Sequence, residues 1–192
     1  MKRLAIVLAL AALLLFSALA SAGVRLRVDY TLELQQEGEW VVVRETDGFR
    51  SGDGLSIRIR VSRDCYCYLA ATRRGDEYRL LVPLREVDRG ANWLRRGQEY
   101  RLPATGAFAL DQVPGVERLV LIIAEQQVPE LEHVFFEGGE LTDETLIDVR
   151  DRYSPTYYFQ KEVRTDRVTI FGRNLDNRPT VIFEEIVIRH SE

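Results

Sequence analysis

Strict alternation of apolar and polar residues is the feature that most constrains what this chain can fold into. In residues 55–61 the odd positions are Leu, Ile, Ile and Val, and the even positions are Ser, Arg and Arg. Residues 24–34 repeat the pattern with the apolar residues at even positions. Because successive side chains of a β-strand point to opposite faces, each segment predicts a strand with one face in a core.

Other β-rich segments follow, separated by turn residues. They cover residues 40–43, 65–71, 78–82, 119–124, 157–163, 168–171 and 181–188. Residues 119–124 are apolar on both faces, which predicts the most central strand. In residues 181–188 the apolar positions change from odd to even at Glu184-Glu185, and this change predicts a β-bulge.

One α-helix is predicted near residues 143–153. Thr142 can cap it, Leu146 and Val149 share an apolar stripe, and Pro155 ends it. Residues 126–139, with a proline and two glycines, are the weakest candidate for a boundary within the chain, a seam that we do not expect to be a linker. We therefore expect an all-β fold with one short helix.

Residues 1–22 have the pattern of a secretory signal peptide. A charged start precedes an apolar run over residues 4–16, and small residues end in an A-x-A pattern at Ala22. We predict cleavage between Ala22 and Gly23, a single domain over 23–192, and a periplasmic or extracellular location without stable membrane insertion. The alternative is an uncleaved anchor, since a spanning helix needs about 20 apolar residues. Weak hydrophobicity after the apolar run favours cleavage.

The charge balance is acidic. The net charge is −4, and loss of Lys2 and Arg3 with the signal would make it −6. Lys161 would then be the only lysine. A nucleic-acid-binding protein is expected to carry a basic surplus, so we expect no nucleic acid among the partners.

Five ordered landmarks lie between residues 47 and 119. They are Asp47-Gly-Phe-Arg-Ser-Gly-Asp-Gly, Cys65-Tyr-Cys-Tyr-Leu, Arg79-Leu-Leu-Val-Pro, Tyr100-Arg-Leu-Pro and Pro114-Gly-Val-Glu-Arg-Leu. Together they resemble the domain-of-unknown-function family 4384 over roughly residues 46–124. The resemblance implies an immunoglobulin-like antiparallel β-sandwich in an exported or envelope-facing protein, with no established activity. Residues 125–192 would be a C-terminal extension packed on this core. The cysteines depart from the family pattern.

The first landmark is interpreted as a structural turn formed by Gly48, Gly52, Asp53 and Gly54. Gly52 and Gly54 would supply positive φ, and Asp53 would accept hydrogen bonds from nearby backbone amides. A ligand-binding loop is the alternative, but turn chemistry accounts for every residue.

Cys65 and Cys67 form a possible redox pair, because thiols often pair in an oxidising compartment. Positions i and i+2 of a strand lie about 6.6–6.8 Å apart at Cα, at the edge of the disulfide range. A bridge would therefore be strained and easily reduced. The alternatives are two free thiols facing the core, which we prefer, and an intermolecular or metal role.

Tyr66, Tyr68 and Trp93 form a possible partner-binding patch. The two tyrosines share the strand face opposite the cysteines. One of these two sets is expected in the core, and the other at a second surface or under the C-terminal segment.

Motifs for catalysis are missing from the sequence. It contains no G-x-S-x-G elbow, no P-loop and no H-E-x-x-H helix. His133 and His190 are not in ligand-spaced motifs and are expected at the surface, so we predict no metal and no cofactor. A pair of carboxylates assembled only in space remains open.

These observations favour an exported, non-enzymatic binding or accessory module of the bacterial cell envelope. Its partner would be another envelope protein or a peptide. The alternative is a periplasmic redox-active protein that uses Cys65 and Cys67.

Overall fold

The computed structural model describes residues 26–74, 77–83, 92–137, 141–153, 157–175 and 178–192. The predicted signal peptide and its cleavage point lie outside these ranges. The described strands are β1 (Leu26–Gln36), β2 (Glu39–Val43), β3 (Phe49–Arg50), β4 (Gly54–Val61), β5 (Cys65–Arg74), β6 (Glu77–Val82), β7 (Trp93–Leu94), β8 (Glu99–Leu102), β9 (Phe108–Ala109), β10 (Gly115–Ala124), β11 (Leu141–Thr142), β12 (Tyr157–Val163), β13 (Val168–Asn174) and β14 (Val181–Ser191). The described helices are α1 (Pro129–Glu137) and α2 (Asp143–Tyr153).

The strands form two sheets that face each other as a sandwich. Sheet A has the order β12-β13-β1-β4-β8, with β2 also beside β1 and β9 also beside β4. Sheet B has the order β11-β6-β5-β10-β14-β3, with β7 also beside β5. The pairing is antiparallel except between β14 and β3. The predicted all-β sandwich is confirmed.

The core between the sheets is built by the alternation seen in the sequence. The even residues of β1 from Leu26 to Leu34 and the odd residues of β4 are buried and belong to one apolar cluster. Cys67, Leu121 and Ile186 enter the same cluster from sheet B. Burial of this face stabilises the fold by about 25 cal/mol for each Å² of apolar surface removed from water, and this gain drives the two sheets together.

A second apolar cluster covers the outer face of sheet B. Tyr68 and Ile122 point out of the sheet, and Leu131 of α1 and Val149 of α2 pack with them. Helix α2 has the predicted bounds, and the Thr145 amide donates to Thr142 Oγ1 at 3.2 Å, as expected for the cap. Helix α1 was not predicted. It lies in the segment expected to be a seam, so this β-sandwich carries two described helices.

The predicted β-bulge at Glu184-Glu185 is wrong. Strand β14 pairs with β10 in unbroken register, from Val181 opposite Ala124 to His190 opposite Gly115. The odd residue Phe183 packs in the helix-covered cluster, whereas the even residues Ile182 and Ile186 face the inter-sheet core. Both faces of β14 are apolar at this end because both are covered, so the apolar positions change without a shift in register.

Candidate functional site

The outer face of sheet A carries an open groove of about 630 Å³. Its floor is formed by polar side chains of β1 and β4, and one wall is the turn between β12 and β13. Thr31 Oγ1 donates to the Asp166 carbonyl oxygen at 2.9 Å and so holds this turn against the sheet. Its charged lining residues are Arg27, Asp29, Arg58, Arg60, Arg96, Glu99, Asp166 and Arg167.

Positive charge exceeds negative charge in this groove. Five arginines against three carboxylates leave an excess of two positive charges, although the whole chain is acidic. Arg27 pairs with Asp29 at 2.9 Å, and Arg167 pairs with Asp166 at 2.7 Å. Within the described ranges, neither Arg60 nor Arg96 has a carboxylate within ion-pair distance. These two guanidinium groups are therefore available to an external anion.

A buried carboxylate holds the floor of the groove rigid. Glu33 is only 4% exposed at its side chain and receives Arg58 Nε at 3.0 Å and Arg101 Nη2 at 2.8 Å. The Arg101 guanidinium also stacks over the Trp40 ring at 4.8 Å. Charge-assisted hydrogen bonds of this kind fix arginine geometry, so the polar surface is preorganised.

A second, narrower cleft of about 360 Å³ opens beside the groove, where β2 leaves β1 and β13 takes over the same edge. Its walls are mainly apolar and include Leu32, Val43, Val163 and Val168. The turn at Asp166 separates it from the groove, since this residue lines both.

Four polar side chains meet at the base of this cleft. Tyr30 donates its hydroxyl hydrogen bond to Glu184 Oε1 at 2.7 Å, across the sandwich, and Lys161 Nζ contacts the same oxygen. Glu45 Oε1 lies 3.5 Å from the Tyr30 hydroxyl and 3.8 Å from Lys161 Nζ. Burial and the two neighbouring carboxylates raise the pKa of Tyr30 well above its usual value, so its hydroxyl stays a donor.

This polar cluster was missed by the sequence analysis. Tyr30 fitted an apolar alternation and Glu184 was part of the supposed bulge. Only the isolation of Lys161 as the single lysine of the predicted mature chain pointed toward it.

The two cysteines lie in the core between the sheets, as free thiols. Burial, followed by the charges of Asp64 and Glu125, raises the pKa of Cys65 to about 12. Burial also raises the pKa of Cys67 well above its usual value. Because the thiolate is the reactive form, this setting favours structural thiols over a redox pair.

The predicted aromatic patch is divided between surface and interior. Tyr66 and Trp93 make an edge-to-face contact with ring centroids 4.6 Å apart, and Trp93 is 42% exposed. Tyr68 is fully buried under α1, where its hydroxyl donates to Glu132 at 2.5 Å and accepts from the Val128 amide at 3.1 Å. Only Tyr66 and Trp93 can contribute to a partner surface.

The turn at residues 48–54 has the geometry of a structural turn. Asp53 Oδ2 accepts from the Arg50 amide at 2.8 Å, and Gly52 has φ +84°. Gly54 does not have the positive φ that was expected. A Cβ at this position would instead lie 2.9 Å from the Ala107 Cβ, so Gly54 permits a close approach of β4 to that segment. Nothing crowds Gly48 within 4 Å.

His190 corrects the expectation of a surface histidine. Its side chain is 1% exposed, with Nδ1 3.1 Å from Ser51 Oγ and Nε2 3.5 Å from Glu117 Oε1. It lies within strand β14. His133 is at the surface, as expected, beside Glu137.

The side chains of Ser51, His190 and Glu117 are of the types that form a hydrolytic triad, but the neighbouring backbone amides already donate to carbonyl oxygens. Acyl transfer uses hydrogen-bond donors, often backbone amides, that stabilise an oxyanion. The Ser51 amide donates to the Ser191 carbonyl, the Gly52 amide to Leu110 and the Asp53 amide to Arg50. These three amides are occupied, and the Ser51, His190 and Glu117 contacts tie β3, β10 and β14 together.

Fold and surfaces together define an all-β sandwich with a helical layer on one sheet and a polar groove on the other. In the part of the chain that the structure describes, no His, Cys, Asp and Glu side chains group to hold a metal ion. No helix there combines the length and the apolar character needed to cross a membrane.

Residues 48–127 match the family model described as Domain of unknown function (DUF4384), which confirms the family resemblance over this segment. No curated protein and no solved structure matches the chain.

Proposed function

We propose that this protein is an exported, non-enzymatic binding module of the bacterial cell envelope that docks an acidic segment of another protein in the groove on sheet A. The observation that carries the proposal is the pair of arginines, Arg60 and Arg96, that face this groove without a carboxylate partner in the described residues.

Physical arguments favour an acidic partner. An arginine presents planar donors that match a carboxylate in bidentate geometry. A positive patch on an acidic protein also orients an acidic partner during encounter, because complementary potentials raise association rates. The rigid floor around Glu33 lowers the entropy lost on binding.

Fluorescence anisotropy with a labelled hexaglutamate peptide tests the groove. We expect weak binding that is lost at high salt, because exposed charges are screened. The double variant R60E/R96E should lower the affinity by about tenfold or more, equal to at least about 1.4 kcal/mol. The matched control R150E/R189E changes the net charge equally but lies outside the groove lining. Equal losses in both double variants would contradict the proposal.

Export has its own test. The predicted signal supports periplasmic or extracellular delivery, so protein recovered from the periplasmic or culture fraction should have Gly23 at its N-terminus. Full-length protein that remains in the cytosolic fraction would contradict this part of the proposal without affecting the groove.

Redox activity receives less support than binding. Both thiols are buried and their pKa values are raised. We expect quantitative mass spectrometry after rapid alkylation to detect two thiols that react only after denaturation. Detection of a bridge, or of fast alkylation in the folded protein, would favour the redox alternative.

A further inference from the structure

The narrow cleft beside the groove is a product of the strand pairing in sheet A. Strand β13 pairs with β1 as far as Tyr30, and β2 pairs with β1 from Leu32 onward, so Thr31 falls between the two registers. Val168 lies opposite Tyr30 on one side of this gap. Val43 lies opposite Leu32 on the other side. Because β4 occupies the other edge of β1, both strands share one edge, and their registers leave the opening of about 360 Å³.

The walls of the cleft are apolar and only partly covered. They include Leu32, Val43, Val163 and Val168. Val163 is 66% exposed, and Val43 and Val168 are half-buried where they pack against the core between the sheets. An apolar group that covers this surface removes aliphatic area from water, which is favourable. The cleft therefore suits a large apolar side chain.

The charge of the lining restricts what can accompany an apolar side chain there. The charged lining residues are four cations and two carboxylates, namely Arg44, Lys161, Arg164, Arg167, Glu45 and Asp166. As in the groove, the lining therefore has an excess of two positive charges. Because complementary charges favour encounter and like charges oppose it, acidic residues beside the apolar side chain suit this cleft, whereas basic residues do not.

The cleft and the groove adjoin each other. Thr31, Asp166 and Arg167 line both. Arg60 lies on β4 opposite Asp29 of β1, and the cleft lies beyond the other edge of β1. Two strand spacings, about 10 Å, separate β4 from the cleft, and an extended segment crosses this distance with about three residues. One partner segment can therefore reach both places.

We propose that the cleft is a pocket for a large aliphatic side chain of the same acidic segment that docks in the groove. This inference rests on the function proposed for the groove and specifies its partner. Acidic residues of the segment face Arg60 and Arg96. A leucine, or a residue of similar size and polarity, lies about three positions away along the segment and contacts Val43, Val163 and Val168.

Three labelled peptides of equal charge test the pocket by fluorescence anisotropy. Each has three glutamates on either side of one central residue, which is leucine, alanine or asparagine. We expect the leucine peptide to bind about fivefold to tenfold more tightly than the alanine peptide, because apolar burial adds to the charge contacts. Asparagine is close to leucine in size but polar, so its peptide should bind no more tightly than the alanine peptide. Equal affinities of the leucine peptide and either of the others would overturn the proposal.

Methyl NMR locates the contact. The leucine peptide should shift the methyl resonances of Val43, Val163 and Val168, and the alanine peptide should shift them much less. Tight binding of the leucine peptide without shifts at these methyl groups would place its side chain outside the cleft and overturn the assignment.

Substitution of an exposed wall residue gives an independent test. Val163→Asn replaces aliphatic wall with a polar group at a position that is 66% exposed, so the advantage of the leucine peptide over the alanine peptide should fall about threefold. Val113→Asn is the matched control, because Val113 is 62% exposed and lies outside the cleft lining. An equal fall in both variants, or an unchanged advantage in Val163→Asn, would contradict the assignment of the pocket.

The outcomes also separate this inference from the function on which it rests. If hexaglutamate and all three peptides bind with equal affinity, the groove remains the docking site and the pocket is rejected. If hexaglutamate and all three peptides fail to bind, both the groove function and the pocket are rejected.

Discussion

The outer faces of the two sheets differ far more than their inner faces. Both inner faces are mainly apolar and meet in one core. The outer face of sheet B carries Tyr68 and Ile122 and is sealed by two helices, whereas the outer face of sheet A carries arginines and carboxylates and remains open as a groove. The comparison shows that the same scaffold covers one outer face with helices and leaves the other open.

The largest difference between the two faces should appear on truncation of the helical layer. Leu131→Ala removes a fully buried side chain of α1 and should lower the free energy of unfolding by about 2–5 kcal/mol. The matched change on the open face, Arg60→Ala, should alter it by less than about 0.5 kcal/mol. Urea unfolding measures both. Similar losses in the two variants would erase the energetic distinction between the covered face and the open face.

The second effect concerns the polar cluster that crosses the sandwich. Lys161→Met leaves Glu184 buried without its cation and should cost about 2–3 kcal/mol, below the full value for a completely buried pair because Lys161 is 29% exposed. Adding Glu184→Leu should recover part of this loss, because it removes the buried charge but also takes the acceptor from the Tyr30 hydroxyl. A double variant as unstable as the sum of both single variants would show that the two residues act independently.

A smaller effect is expected at the hydroxyl beneath α1. Tyr68→Phe leaves the buried Val128 amide and Glu132 without a partner, at a cost of about 1–2 kcal/mol. Tyr66→Phe on the same strand face should cost less, because the contact of Tyr66 with Trp93 is made by its ring. Chemical denaturation of both variants checks this order, and a larger loss for Tyr66→Phe would reverse our description of the aromatic patch.

The smallest effect concerns Cys65 in the core between the sheets, and it appears only at alkaline pH. The pKa of Cys65 is raised from 9.0 to about 12, mainly by burial. The unfolded chain therefore loses the Cys65 proton at a lower pH than the folded protein does. The contribution of the protonated thiol to the free energy of unfolding is complete below pH 9 and is lost as pH rises toward 12. Between pH 9 and 10 the advantage of wild type over Cys65→Ala should fall by about 1 kcal/mol. A constant difference would mean that Cys65 ionises as readily in the folded protein.

Much of the fold could be predicted because its signals are local. The alternation in β1 and β4 depends only on which side successive residues face, and Thr142 caps α2 within one turn. Helix α1 could not be found in this way. Its residues include Pro129 and follow a turn, and the helix forms where Leu131 is buried against sheet B, a contact that no nearby residue reveals.

The candidate sites depend on long-range contacts to a greater degree than the strands and helices do. The alternation places Arg58 and Arg60 on the polar face of a predicted strand, but the groove is completed by the distant segments around Arg96 and Arg167. His190 was expected at the surface because it is not in a ligand-spaced motif, yet pairing of β14 with β10 and β3 buries it.

The sequence by itself determined the two-faced strands, the capped helix α2 and the family resemblance now matched over residues 48–127. Only the tertiary structure decided which outer face would be covered, and it brought Tyr30 within 2.7 Å of Glu184, 154 residues away. The physical reason is that strand periodicity and capping are interactions between neighbours, whereas burial and charge pairing depend on which distant strands meet.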